Sequence, residues 1–423
     1  MEVTIERILP GGLGLAHAEG RTIMVALAAP GDHVRVRIDR VKGSVSFAVI
    51  EEILTPSPYR VEPPCPYFGR CGGCDFQQLS YQAQLEAKVE IIRDCLRRLG
   101  GIEKVPEIQI TPAPNVWHYR SRTQWQYDAI RQRLGYFESG SRRVCDVAEC
   151  AVLVPELQTA LEGLRAQMRE GSLPEEARDF RAVVGDEGIS IAPSVRSPSV
   201  SEDNDPGGPP QITRTIHGET YRLNAESFFQ ANADLLPQLI DAAIGEANGE
   251  TAIELYCGVG LFTLQLARRF KHVIGVEGDT AAANFARDNL ASAGLNNAEV
   301  ANQDVGRWLE ENMECGNLSP LSQKRRQVAA LQRPPDFLLL DPPRTGAESR
   351  VISGILNLKP QRIAYVSCDP ATLARDLKKL IAGGYKLDTL MAFDMFPQTH
   401  HVETVVHLVT PLATDNPLFP KSI

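Results

Sequence analysis

Cys368 stands where a thiol could act as a nucleophile. It closes Tyr365-Val366-Ser367-Cys368, a run that reads as a buried strand, and Asp369-Pro370 opens a helical pattern directly after it. A thiol set before a helix start is expected to have its pKa lowered by the helix N-terminus. A second string, Phe337-Leu338-Leu339-Leu340-Asp341-Pro342-Pro343-Arg344, ends a buried strand on an acid and two prolines. Polar groups stranded after four apolar residues are seldom there for packing. A third, Thr399-His400-His401-Val402-Glu403-Thr404-Val405-Val406, carries Glu403 into the last strand, with His400 and His401 as rival bases. A carboxylate in a largely apolar site has its pKa raised toward the range useful for proton removal. Singly, each has a bland reading: Cys368 as core filler, Glu403 as an exposed strand residue. Together, a thiol, a rim acid and a base at strand ends form a set for nucleophilic catalysis.

The elements that must position them begin near Asn224. From there strands and helices alternate: AIELYC, HVIGVEG, FLLLDPP and RIAYVSC as strands, with LFTLQLARRF, AAANFARDNLASAGL and TLARDLKKLIAGG as helices. This is the pattern of an α/β sheet with parallel strands covered by helices, whose ligands bind at the carboxyl ends of the strands. The first strand runs into Gly258-Val259-Gly260, and the second ends in Glu277, a carboxylate placed to accept ribose hydroxyls. Thr263 stands where a dinucleotide fingerprint has its third glycine, so the pocket is expected to take S-adenosylmethionine. Asp304, closing the third strand, is placed to contact an adenine. A thiolate beside a methyl sulfonium suggests one reaction. Addition at C6 of uracil converts C5 into an enolate carbon that takes the methyl group, and a base then removes the C5 proton so that the thiolate can leave.

Upstream, residues 3 to 54 read as five short strands with glycine turns, including the strict alternation of His33-Val34-Arg35-Val36-Arg37-Ile38, and predict a small closed barrel. Thr55 to Pro58 reads as a linker. An amphipathic helix is predicted from Ser80 to Gly100, with Cys95 as buried filler. Between Lys88 and Arg143, eleven lysines and arginines are interleaved with Trp117, Tyr119, Trp125, Tyr127, Tyr136 and Phe137. Basic groups beside rings suit single-stranded RNA, and a charged face over an aromatic core is the competing reading. Cys65, Cys71 and Cys74 follow C-x5-C-x2-C, a density of thiols that suits zinc or an iron–sulfur cluster; Cys145 and Cys150 both qualify as the fourth ligand. Ser194 to Gln211 is expected to be a polar surface loop, and Glu314 to Pro335 an inserted one.

Composition sets the outer limits. With 423 residues, 43% of them apolar, the chain can build two or three cores. The net charge of −9 argues against a general nucleic-acid coat protein but leaves room for a local basic groove. No apolar run approaches the roughly 18 residues of a membrane span, and nine cysteines, unevenly placed, do not form a secreted scaffold. A cytoplasmic protein without a membrane partner is expected.

The strings LDPPR, SCDPATLARD and HVET, with ESFFQAN at 226 to 232 and ELYCGVGLF at 254 to 262, resemble the RNA 5-methyluridine (uracil-C5) methyltransferases along nearly the whole chain. The resemblance implies Cys368 as nucleophile and Glu403 as the proton-abstracting base. It places Gln230, Tyr256, Glu277, Asp304 and Asp341 on S-adenosylmethionine, with Asp341 also near the uracil. Leu261 stands where the family usually has asparagine, so one polar contact near the donor is missing or replaced. The same resemblance favours a [4Fe-4S] cluster on Cys65, Cys71, Cys74 and Cys150, and leaves Cys145 spare. The implied architecture is an OB-like TRAM β-barrel (1–57), a central α+β iron–sulfur domain (58–222) and a Rossmann-like α/β methyltransferase domain (223–423), acting as a monomer. RNA is the expected partner. Barrel and cluster together point to 23S rRNA over the transfer-RNA T-loop. A non-catalytic RNA-binding protein on this fold is the other class, disfavoured by the intact Cys368 and Glu403.

Overall fold

Alternation of apolar and polar residues in the first 55 positions yields the strands expected of it. The computed structural model describes residues 1–174, 176–193, 208–313 and 333–410. Its first sheet joins His33–Lys42, Val45–Thr55, Arg21–Val25 and Gly14–Ala18 in that order. The N-terminal run pairs with both edges: Glu2–Thr4 lies antiparallel to His33–Lys42, and Arg7–Ile8 lies antiparallel to Gly14–Ala18. One interrupted strand thus closes the sheet on itself, which removes its free edges. Val3, Ile5, Ile23, Val25, Val34 and Val36 fill the interior. Outside, Arg35 pairs with Glu2 and Glu52, and Arg37 with Glu51, so these arginines face carboxylates of the same barrel.

The predicted amphipathic helix spans Tyr81–Arg98 and buries Ala87, Ile91, Ile92, Cys95 and Leu96 against the C-terminal layers. Ser80 holds the N-cap position without a side-chain cap bond. A five-stranded antiparallel sheet follows, ordered Val144–Asp146, Arg133–Phe137, Arg122–Asp128, Asp179–Val184, Ile189–Ala192, with helix Pro155–Glu170 packed on it. Here the buried members of the basic and aromatic stretch follow the competing reading. Tyr119, Trp125 and Tyr127 are core residues, Lys88 is wholly buried against Asp394, and Arg93, Arg131 and Arg143 pair with Glu90, Asp128 and Glu138. Of the six rings only Phe137 is strongly exposed. Alternation on a half-buried sheet sends Trp125 and Tyr127 inward, while Arg122 beside them bonds the Ala225 and Ser227 carbonyls.

The last sheet has eight strands, ordered Ala298–Asn302, Phe270–Glu277, Gly249–Leu255, Phe337–Leu340, Arg362–Ser367, Glu403–Val409, Lys386–Phe393 and Gln109–Thr111. The first five are parallel, as continuous apolar runs between helices foretell. Glu403–Val409 enters antiparallel between Arg362–Ser367 and Lys386–Phe393. Its eighth strand, Gln109–Thr111, comes from far upstream and lies parallel to Lys386–Phe393. Helices Thr280–Ser292 and Pro370–Ala382 match the sequence expectation, whereas LFTLQLARRF contributes only the short helix Thr263–Ala267. Most of the two expected loops, 194–211 and 314–335, lies outside the described residues. Among the described residues no helix is long and apolar enough to cross a membrane.

Candidate active site

The register of the large sheet aligns the candidate residues along its carboxyl edge. Ser367 pairs with Thr404, and Thr404 Oγ1 donates to the Ser367 carbonyl at 3.0 Å. One step further along this antiparallel pair brings Cys368 opposite Glu403. Leu340 pairs with Tyr365, so Asp341 emerges on the neighbouring strand beside them. Leu255 pairs with both Leu340 and Val276, which continues the row through Tyr256 to Glu277.

Glu403 is 1% exposed, and its Oε1 has no hydrogen-bond partner. Burial holds this carboxyl well above the usual range, Asp341 adds to the shift, and Arg344 opposes it. The bland alternative of an exposed strand residue is therefore overturned. Asp341 is likewise raised, to about 7, chiefly by burial, while Gln230 Nε2 donates to its Oδ2 at 3.4 Å. Cys368 departs from expectation. Burial pushes the thiol up to about 12; the charges of Glu403, Asp341 and Asp369 raise it, and Arg344 works against them. Burial outweighs any lowering by the helix start, and Asp369, which caps that helix by accepting from Thr372 N at 2.8 Å, adds a smaller rise. The rival bases are engaged elsewhere: His400 Nδ1 meets Asp75, and burial followed by its cationic neighbours lowers His401 to about 3.

On the donor side, Gly258 and Gly260 both take positive φ, and a Cβ on Gly260 would come within 3.0 Å of Leu264 Cδ1. The Glu277 carboxylate accepts from Gly258 N at 2.8 Å and from Asp279 N at 2.7 Å. Two oxygens with one bond each keep acceptor capacity for a pair of hydroxyls. Tyr256, at φ +65°, turns the chain out of the first strand. Asp304 lies at the far end of the row, exposed and paired with Arg350 at 3.2 Å. Leu261 is 7% exposed within the apolar core, so its side chain is packing material. Two residues escaped the sequence reading. Arg344, visible only as the end of LDPPR, is the cation that draws down both Cys368 and Glu403. Glu254, hidden in an apolar run, is wholly buried beneath the glycine turn, bonded to Thr263, and raised to about 8 by burial.

Cys65, Cys71, Cys74 and Cys150 line one cavity, together with Arg120 and Tyr136. Cys145 is not among the lining residues; its sulfur takes a contact from Arg70 Nε at 3.2 Å. Burial raises Cys71 to about 11 and Cys74 to about 12, and the Arg120 guanidinium pulls Cys74 and Cys150 back down. Arg120 Nε has no partner. Among the described residues no three His, Cys, Asp or Glu side chains converge as ligands of a single metal ion.

A glycine turn, an acid-ended second strand and an inserted antiparallel strand on a parallel sheet define a Rossmann-like methyltransferase class. Residues 213–410 match the tRNA (uracil-5-)-methyltransferase family, and residues 1–59 match the TRAM domain of tRNA (uracil(54)-C(5))-methyltransferase. The 23S rRNA (uracil(1939)-C(5))-methyltransferase RlmD of Pectobacterium atrosepticum is 33% identical over 96% of this chain and 92% of its own. An RNA methyltransferase of Bacillus cereus is 31% identical over 96% of this chain and 95% of its own. The crystal structure of Pyrococcus abyssi tRNA (uracil-54, C5)-methyltransferase, in complex with S-adenosyl-L-homocysteine, superposes with a TM-score of 0.70 at 26% identity, covering 96% of this chain and all of that one. The chain belongs to the RNA (uracil-C5) methyltransferase family. These likenesses also remove one argument: a TRAM barrel accompanies a transfer-RNA enzyme here, so the barrel does not by itself point to rRNA.

Proposed function

We propose that this chain methylates C5 of a uridine in RNA with S-adenosylmethionine as donor, through a transient bond between Cys368 Sγ and C6 of the uracil. The observation that carries this is the sheet register that sets Cys368 opposite Glu403, with Asp341 on the adjoining strand. S-adenosylmethionine supplies the electrophilic methyl group; Gln230, Tyr256, Glu277, Asp304 and Asp341 would hold it along the strand ends. Arg344 favours the thiolate that adds to C6. Addition moves electrons toward C5, which takes the methyl group. Glu403, an unpartnered buried carboxylate when ionised, then accepts the C5 proton, and the ring expels the thiolate as its double bond re-forms.

Cys65, Cys71, Cys74 and Cys150 would hold a [4Fe-4S] cluster. The donor set fits: four thiols share one cavity with Arg120, whose Nε has no partner. Such a cluster would keep the central region in shape, since no electron passes through the protein in this reaction.

Ribosomal RNA is the preferred substrate on the strength of the 33% identity to RlmD over nearly its full length; transfer RNA is the second reading, favoured by the Pyrococcus abyssi likeness. Incubation with the methyl donor and 5-fluorouridine transcripts of either RNA should trap a denaturation-stable adduct on the true substrate, because fluorine cannot leave as a proton does. Cys368→Ala should abolish it. An adduct that survives this substitution would falsify the assignment.

A further inference from the structure

The segment from Asp394 to Val402 delivers Glu403 to the site, and upstream residues grip it along its length. Asp394 forms a fully buried ion pair with Lys88, whose Nζ also donates to the Phe396 carbonyl at 3.0 Å. Tyr119 Oη donates to the Pro397 carbonyl at 2.9 Å. Gln398 has a left-handed backbone, φ +69°, a conformation that a residue with a Cβ keeps only where its surroundings impose it. They do so here. Gln84 bonds both the backbone N and the side chain of Gln398, at 2.9 and 3.0 Å, while the backbone N–H groups of Asp75 and Phe76 donate to its carbonyl at 3.1 and 3.0 Å.

Beyond Gln398 a single side chain completes the grip. Asp75 follows Cys74 directly, and its carboxylate accepts from His400 N at 2.8 Å and meets His400 Nδ1 with its other oxygen at 2.5 Å. The barrel closes over this pair: a Cβ on Gly12 would lie 3.0 Å from Asp75 Oδ2 and 3.2 Å from His400 Cβ. His400 packs against His401 with ring centres 4.2 Å apart and the planes tilted by 38°, and Glu403 stands three residues beyond His400.

We propose that Asp75 and His400 are a positioning pair for proton removal: through them the loop that carries Cys74 fixes the backbone leading into Glu403. The inference rests on the assignment of Glu403 as base and Cys368 as nucleophile. It predicts a defect in one step only. Adduct formation uses Cys368 and the donor site, which are anchored on other strands; release uses Glu403.

The experiment compares His400→Ala, Asp75→Ala and the double variant with the wild-type full chain, each with iron and sulfide content measured. Trapping on 5-fluorouridine RNA stops before proton removal and should stay within about twofold of wild type. Breakdown of the methylated adduct on ordinary uridine RNA should slow roughly ten- to a hundredfold, the scale of an ångström's misplacement of a catalytic group. The double variant should be no slower than the worse single one. Asp75→Asn, which keeps an acceptor oxygen for His400, should recover most of the rate. Equal slowing of trapping and breakdown would mark a merely structural role and overturn the proposal, as would unchanged breakdown in His400→Ala. Glu403→Gln is the control for the underlying reading. If it accumulates methylated adduct while the pair variants do not, only the present inference fails; if it accumulates none, the base assignment itself fails.

Discussion

Burial favours the neutral thiol of Cys368, although its place before a helix suggests a thiolate. The helix terminus was legible in Ser367-Cys368-Asp369-Pro370, but the balance of charges was not, because Glu403 and Asp341 come from other strands. Burial and three nearby carboxylates outweigh Arg344 and push the thiol up to about 12. The sign of the pH effect follows. Thiolate is the minor form throughout the neutral range, so its share grows about tenfold per pH unit until the thiol pKa is approached. Trapping of 5-fluorouridine RNA under single-turnover conditions should therefore accelerate steadily from pH 6 to 9. A plateau below pH 8 would show a thiol already ionised. Arg344→Gln removes the cation that favours the thiolate and should slow trapping about tenfold at fixed pH, with the donor's Kd little changed.

At the scale of elements, the carboxyl edge concentrates acids with raised pKa: buried Glu254 at the end of one strand, half-buried Asp341 just past another, buried Glu403 at the start of a third. Folding raises Glu254 from an ordinary 4.5 to about 8 and Asp341 to about 7. A group whose pKa is raised by folding gives stability that is fully present below its unfolded value and lost as pH rises through its folded one. For Glu254 the window runs from about 4.5 up to about 8, and for Asp341 from about 3.8 up to about 7. Glu254→Gln keeps a partner for Thr263 but cannot ionise; compared with wild type it should gain up to a few kcal/mol in relative stability between pH 5 and 9, read from denaturant midpoints across pH. A constant difference would mean that Glu254 keeps its unfolded pKa. The parallel strands and their glycine turn were legible because continuous apolar runs ending on Asp341, Cys368 and Glu277 have few other solutions. The antiparallel sense of Glu403–Val409 was not, since an apolar run carries no direction. Arg and aromatic residues between 88 and 143 were ambiguous for a related reason: their spacing fits a core with paired rims as well as an RNA groove, and only the partners decide.

At the scale of the whole molecule, the cysteine cavity and the donor pocket are built from different parts of the chain. Cys65 to Cys74 pack on the central sheet, where Cys71 bridges to Glu138 and Gly72 N donates to the Phe137 carbonyl. Of the candidate donor residues, Tyr256, Glu277, Asp304 and Asp341 lie on the large sheet and the turns at its edge, and only Gln230 sits on a loop that Ser121 of the central region holds through the Ala231 carbonyl. Loss of the proposed cluster should therefore leave the donor side standing while the central region and the barrel above it loosen. Apo-protein prepared with a chelator and reductant should bind S-adenosylmethionine within about threefold of the iron-loaded protein by calorimetry, and bind substrate RNA at least tenfold more weakly. Equal losses would mean that the large sheet depends on the cluster as well. The fourth ligand can be settled in the same preparation. Cys150 lines the cavity and Cys145 lies outside it on Arg70, so Cys150→Ala should lose iron whereas Cys145→Ala should retain it. The reverse result would move the cluster toward Arg70 and require the loop from Cys65 to Cys74 to turn with it.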